Sequence, residues 1–188
     1  MRQSAAVLIL LMAGSAAATR TDYLNAQRKF KAIETQQTKP GTRVEISSQE
    51  LNAYVEHELP QVAPPGIRKP HVVLLGGNKA SGAALIDFVK MRSARGQTTN
   101  WVLRKLLQGE REVTVTARIR SGNGSATVDV ERVEVAGLPI QGAALDFLIQ
   151  NYLLPNYPQV KIGKPFGLHR RIDRVEVVPG MAYVVLKR

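Results

Sequence analysis

The residues able to do chemistry are few and scattered. The three histidines are His57, His71 and His169, and none stands at metal-ligand spacing from another. Glu56-His57-Glu58 sets two carboxylates beside an imidazole, but consecutive helical residues point about 100° apart, so the three cannot converge alone. A solvated helix face is the competing reading. Asp87 lies among Leu85, Ile86 and Phe88. A carboxylate there is either a buried acid or base or the outward residue of an alternating strand; the second is favoured. Asp129, Asp146 and Asp173 have no distinguishing context. Ser81-Gly82 is too little for a nucleophile. Gly76-Gly77-Asn78-Lys79 lacks the spacing of a nucleotide loop and reads as a strand connection. Asn123-Gly124-Ser125 matches a glycosylation sequon, which its role in a turn already explains. No residue set calls for a metal or a cofactor, and an enzyme is not the expectation.

The 188 residues contain no cysteine, which removes disulfides, thiolate metal sites, cysteine nucleophiles and lipidated-cysteine anchors together. Hydrophobic residues make up 44% and charged residues 22%, a composition for a packed domain rather than a disordered chain. Residues 1–18 read as a secretory signal: Arg2 opens it, Ala5 to Met12 is its apolar core, and Ala16-Ala17-Ala18 is the small-residue cleavage site. The apolar run falls short of the ~20 residues a spanning helix needs, so cleavage near Ala18 is expected. Residues 19–188 then form a single domain of an exported protein, most simply periplasmic.

The net charge of +11 is unevenly spread. Residues 90–120 hold eight basic against two acidic groups, and residues 161–188 seven against two. Such blocks imply an anionic partner. An export signal and only 5% aromatic content argue against nucleic acid, for which no base-stacking motif is present. An anionic membrane surface or lipid headgroup fits the compartment better.

Hydropathy patterns place the elements. Tyr23, Ala26, Phe30 and Ile33 recur at helical spacing within a helix over 21–37. Ser47 and Glu50 form a capping box opening a helix with Leu51, Tyr54, Val55 and Leu59 on one face, closed by Pro60 and Pro64-Pro65-Gly66. Strands follow at about 67–75 and 80–91, and a short helix at 99–108. Strand 111–120 alternates, with Val113, Val115, Ala117 and Ile119 on one face. It turns at Gly122-Asn123-Gly124 into a strand whose apolar phase slips between Val130 and Val133, which a bulge near Glu131-Arg132 explains. Gly137-Leu138-Pro139 breaks that strand. A helix over 141–154 and a hairpin over 171–187 complete the chain. The fold class is α+β: a curved antiparallel meander sheet packed on, or wrapping, amphipathic helices.

Two helices bear on a ligand. In 99–108, Val102, Leu103 and Leu106 form the buried side, while Trp101 falls beside Lys105 and close to Arg104. Tryptophan among basic residues suits a membrane–water interface or a headgroup; covering a neighbouring loop is the alternative. In 141–154, Leu145, Leu148, Ile149 and Tyr152 form a core stripe, with Ala143, Phe147 and Leu154 opposite. A helix apolar on two faces is either sandwiched in a core or lines an apolar channel. The second would suit an acyl chain, whose burial yields ~0.8 kcal/mol per CH₂.

Four segments carry a family resemblance: Ile46 to Asn52, the strand Ala84 to Val89, the pair Val113–Ile119 and Ser125–Val135 with its Gly137-Leu138-Pro139 exit, and the closing hairpin. Together they resemble exported bacterial proteins of the YpmS-like and LmeA-like kind, which are similar to the tubular, BPI-like lipid-binding fold. The resemblance implies envelope lipid binding and supplies no catalytic residues. The chain departs from anchored relatives in lacking a cysteine for lipidation. The expected ligand is thus a lipid or other amphipathic molecule. Candidate pocket residues are Leu51, Tyr54, Ile86, Phe88, Leu145, Phe147 and Leu148, with Trp101, Arg104 and Lys105 toward a headgroup or anionic surface. The alternatives are an envelope protein-interaction module with a basic surface and an enzyme acting on a cell-surface glycolipid.

Overall fold

The computed structural model describes residues 19–35, 37–91, 101–157 and 162–188, without the side chains of 102–104. The expected signal segment, Arg92, Arg95, Thr99 and the side chains of Val102, Leu103 and Arg104 lie outside the described residues. The architecture is α+β, as the patterning requires. Helix α1 (Arg20–Glu34) begins at a capping box that the apolar stripe does not reveal: Thr19 accepts from the Asp22 N–H, and the Asp22 carboxylate accepts from the Thr19 N–H. Ala26 and Ile33 are buried, and the Phe30 ring lies 4.5 Å from that of Tyr54 on the next helix. Strand β1 (Arg43–Ser47) leads directly into helix α2 (Ser48–Val62) through the Ser47–Glu50 box. Glu50 is buried, and its carboxylate also takes Lys29 of α1 at 2.7 Å, so the cap ties the two helices together. Pro60 sits within the last turn of α2 rather than ending it, and the helix runs on to Val62.

The meander is antiparallel: β2 (Ile67–Gly76), β3 (Lys79–Asp87), β4 (Glu110–Gly122), β5 (Ser125–Val135) and β6 (Leu138–Pro139) pair in that order. A two-residue strand, β7 (Phe166–Gly167), joins the start of β5. Two-residue turns at Gly77-Asn78 and Asn123-Gly124 hold both residues at positive φ, the twist-matching hairpin geometry that Asn and Gly tolerate. The expected break at Gly137-Leu138-Pro139 is a third tight turn, with Ala136 and Gly137 at positive φ, which folds β6 back on Glu134 and Val135.

The closing hairpin, β8 (Ile172–Val178) and β9 (Met181–Leu186), does not extend the meander. It pairs with β1 as a separate three-stranded sheet, ordered β1-β9-β8. The outer edge of β8 meets the large sheet through side chains as well as main-chain bonds, among them Gly124 N–H to the Asp173 carbonyl at 2.8 Å. Ser121 of β4 accepts from the Val175 N–H and donates to its carbonyl, each at 2.8 Å. Asn78, in the β2–β3 turn, accepts from the Val177 N–H through Oδ1 at 2.9 Å and donates its own N–H to the Val177 carbonyl at 3.0 Å. The join is close: a Cβ on Gly76 would lie 2.7 Å from the Pro179 ring.

Asn52 of α2 does the same for the outer edge of β2. It donates to the Val72 carbonyl at 2.8 Å, accepts from the Val72 N–H at 2.7 Å, and also donates to the Ser48 carbonyl. One core, containing Ile33, Ile46, Val184 and Leu186, lies under α1 and the small sheet. A second, around Phe88, Val133, Val135 and Leu148, lies at the far end of the large sheet. There the chain after β6 forms α4 (Ala143–Leu148), a π-helical turn (Ile149–Leu153) and α5 (Leu154–Asn156). The helix expected over 141–154 is therefore widened in its middle.

Asn52→Leu leaves both Val72 backbone groups without their partner. It should lower stability by about 1–3 kcal/mol, read as a shift in urea midpoint; an unchanged midpoint would show that this edge needs no partner.

Candidate ligand-binding cavity

Between the large sheet and the terminal helix lies a cavity of about 210 Å³. Protein interiors seldom leave voids beyond a water molecule, and a dry apolar cavity of ~150 Å³ already admits benzene. The sheet wall comes from inward positions of adjacent strands: Ile86 of β3, Val113 and Val115 of β4, Val130 and Val133 of β5. The helix wall is Leu145, Leu148, Ile149, Tyr152 and Leu153. Ile67 of β2, Phe88, Met91, Tyr157 and Ile162 complete the lining. The lining is apolar, apart from the two phenols. Burial pushes the Tyr157 phenol above its ordinary value, so it stays neutral.

Two departures from regular geometry shape these walls. In β5, Arg132 faces Thr116 and Val130 faces Ala117, so Glu131 is the extra residue of a bulge. It falls where the slip in apolar phase places it. A regular strand turns residues three apart to opposite faces; the bulge turns both Val130 and Val133 inward. Opposite, the π turn lets the Leu154 N–H reach back to the Ile149 carbonyl. Asn151 donates to the Phe147 carbonyl at 2.8 Å and Asn156 to the Tyr152 carbonyl at 2.7 Å, side-chain bonds that brace the wide turn. Pro155, which has no N–H to offer, follows immediately. The Tyr152 ring meets Phe88 edge-on at 5.1 Å, fixing the helix against the end of β3.

Of the seven expected pocket residues, Ile86, Phe88, Leu145 and Leu148 line this cavity. Phe147 packs against the surrounding core, 6.2 Å from the Tyr152 ring, but does not line the space. The cavity thus faces the core stripe of the helix, not the second apolar face. Leu51 and Tyr54 lie elsewhere: Leu51 packs against both the Ile33–Ile46–Val184–Leu186 core and a small cluster of Leu74, Val177 and Ala182, and Tyr54 packs against α1. Periodicity shows that each of these residues is inward, but not toward which core. Val115, Val130 and Val133 were legible as inward residues, yet nothing local marks them as cavity walls.

The expected headgroup residues lie on α3 (Trp101–Leu106), where Trp101 is 66% exposed and Lys105 is exposed. Leu106 and Leu107 anchor this segment to the core around the cavity. Of the candidate acids and bases, His57 and Glu58 meet on α2, Nδ1 lying 3.4 Å from Oε1, and the Tyr23 hydroxyl donates to the same oxygen at 2.6 Å; none of the three lines the cavity. Asp87 accepts from the N–H groups of Val89 and Lys90 in the turn after β3 and pairs with the Lys90 ammonium. Those bonds, the Lys90 N–H foremost, hold its carboxyl below its ordinary value. His57 on α2, His71 on β2 and His169 in the loop before β8 are all exposed. Among the described residues, no three His, Asp or Glu side chains converge as metal ligands.

The outer face of the large sheet is ionic. Glu131 pairs with Lys79 at 2.9 Å and Arg118 at 2.8 Å; Asp129 pairs with Arg120 at 2.6 Å. Alternation therefore sends carbon inward and charge outward from the same strands. Comparison with known proteins finds no matching family model and no matching curated sequence.

The Lys79 and Arg118 bonds lower the Glu131 pKa, and Arg120 lowers that of Asp129. Folded-state values below the unfolded ones mean stability present above the unfolded pKa and lost as pH falls through the folded one. The thermal midpoint should therefore fall as pH drops below about 4, and Glu131→Gln should flatten that fall. An unaltered acid slope in the variant would show that Glu131 contributes nothing to it.

Proposed function

We propose that this chain is an exported, non-enzymatic binding protein for an apolar or amphipathic ligand of the lipid class. The observation that carries this reading is the apolar cavity of about 210 Å³ between sheet and terminal helix. Three further features support it. The cavity wall offers no acid, base or nucleophile other than two phenols. The one histidine–carboxylate contact among the described residues, His57 with Glu58, lies on α2 and outside the cavity lining. Among the described residues, no helix is long and apolar enough to cross a membrane, so the lipid contact in this reading is a bound ligand or a surface. The basic surplus of the sequence suits an anionic envelope surface.

A second reading, an envelope protein-interaction module, draws on exposed Val73, Leu75 and Val178 beside the Leu75–Pro179 bridge that joins the two sheets. Cross-linking that captures a protein partner, in a chain that takes up no lipid, would favour it.

Organic extraction of the purified protein should release a bound lipid detectable by mass spectrometry. Delipidated protein should bind dodecanol in a calorimetric titration. Val115→Phe fills part of the cavity. If it displaces two methylenes at ~0.8 kcal/mol each, affinity falls by about tenfold. The thermal midpoint without ligand should hold or rise, which separates a filled cavity from a damaged fold. Dodecanol binding unchanged by Val115→Phe would place the ligand elsewhere.

A further inference from the structure

A second concavity of about 450 Å³ lies against the cavity, at the bulge in β5. Its polar walls are Glu131, Arg132 and Gln141; its apolar walls include Val130, Val133 and Leu145, and these three also line the cavity. The two spaces therefore share these walls, and Val130 and Leu145 are themselves partly exposed.

The sheet edge explains why this opening exists. The outer edge of β5 is covered at its start by β7 and at its end by β6. The Gly163 N–H reaches the Val128 carbonyl and the Ile140 N–H reaches that of Val133. Between them, residues 130–132 border the cleft, with no strand among the described residues beside them. The charges there are not equivalent. Glu131 is answered by Lys79 and Arg118 together. Among the described residues Arg132 is held by Glu134 alone, at 2.7 Å, and its side chain is 61% exposed. A guanidinium carries five N–H donors, so most remain for another partner.

Resting on the cavity as the site of apolar binding, we infer that this cleft is its mouth. Its ligand is an amphiphile with one alkyl chain and a small anionic head, a carboxylate or a phosphate, received by Arg132. Size restricts the chain: ligand pockets usually span about 300–1,000 Å³, and the cavity of about 210 Å³ takes the end of one chain, not two. The head then stays in the cleft, where Arg132 offers a charge-assisted, bidentate contact and Gln141 a neutral one. Leu145 and Val130 rotate aside for entry.

The test compares dodecanoate, dodecyl phosphate and dodecanol, each below its micelle concentration, on delipidated full-length protein by calorimetry. The anionic probes should bind more tightly than dodecanol. Arg132→Gln should weaken both anions about tenfold, the effect of one lost charge-assisted contact, and leave dodecanol unchanged. Leu145→Trp should weaken all three. The carboxylate and phosphate arms rank the two head chemistries. If dodecanol binds but the anions bind no better, or if their preference survives Arg132→Gln and is lost in Lys105→Gln, the cleft is not the headgroup site. If none of the probes binds wild-type protein, the cavity reading itself fails.

Discussion

The two sheets are joined by side chains that imitate backbone, set between main-chain bonds from Gly124 to Asp173 and from Gly180 to Leu74. The outer edge of β8 would otherwise present unpaired N–H and C=O groups to the large sheet. Ser121 serves both groups of Val175, and Asn78 holds Val177 with one side-chain and one main-chain bond. A buried backbone group left without a partner costs about 1–3 kcal/mol, so this seam cannot slide by a residue without orphaning several at once. The Asn78 carbonyl accepts from the Ile119 N–H as well, locking the β2–β3 turn onto β4. Gly76 permits the approach, since its positive φ and the nearby Pro179 ring both exclude a Cβ. With the small sheet and its helices fixed at this end, the apolar face at the other end of the large sheet is covered by the terminal helix, with Leu106 and Leu107 at its margin.

That helix and the sheet do not close on one another, and the reason is geometric. A bulge increases local twist and re-aims side chains; a π turn widens a helix and is rare, often found at functional sites. Here one faces the other across the same space. Val130 and Val133 turn inward together because of the first, and the pairs Leu148-Ile149 and Tyr152-Leu153 face inward around the second. Two regular elements would interdigitate to ordinary packing density.

Much of this was legible in the chain. Alternation placed the strands, Ser47 and Glu50 marked the start of α2, Asn123-Gly124 marked a hairpin, and the slip after Val130 located the bulge. Each is a local signal with a local cause. Other features have no such signal. The π turn keeps the apolar residues at three- and four-residue spacing, so 141–154 reads as one ordinary helix. The strands β6 and β7 span two residues each, too short for a period to show. Leu51 and Tyr54 read as inward, and they are, but the choice between two cores is made by the seam of Ser121 and Asn78. Those are polar residues in a strand and a turn whose partners lie 54 and 99 positions away.

The division of charge bears on what such a cavity can hold. The outer face of the large sheet spends its acids on its own cations, Glu131 on two of them and Asp129 on one. Pairs this exposed add little stability, so their main effect is to keep carboxylates from standing free beside the β5 edge. An anion approaching the bulge therefore meets neutralised acids and a guanidinium that retains donors. A neutral apolar molecule gains nothing from that arrangement beyond burial of its carbon. The two spaces meet at Val130, Val133 and Leu145, one wholly apolar and one bearing a cation. A ligand satisfies both only if its own polarity changes along its length over the same few ångströms.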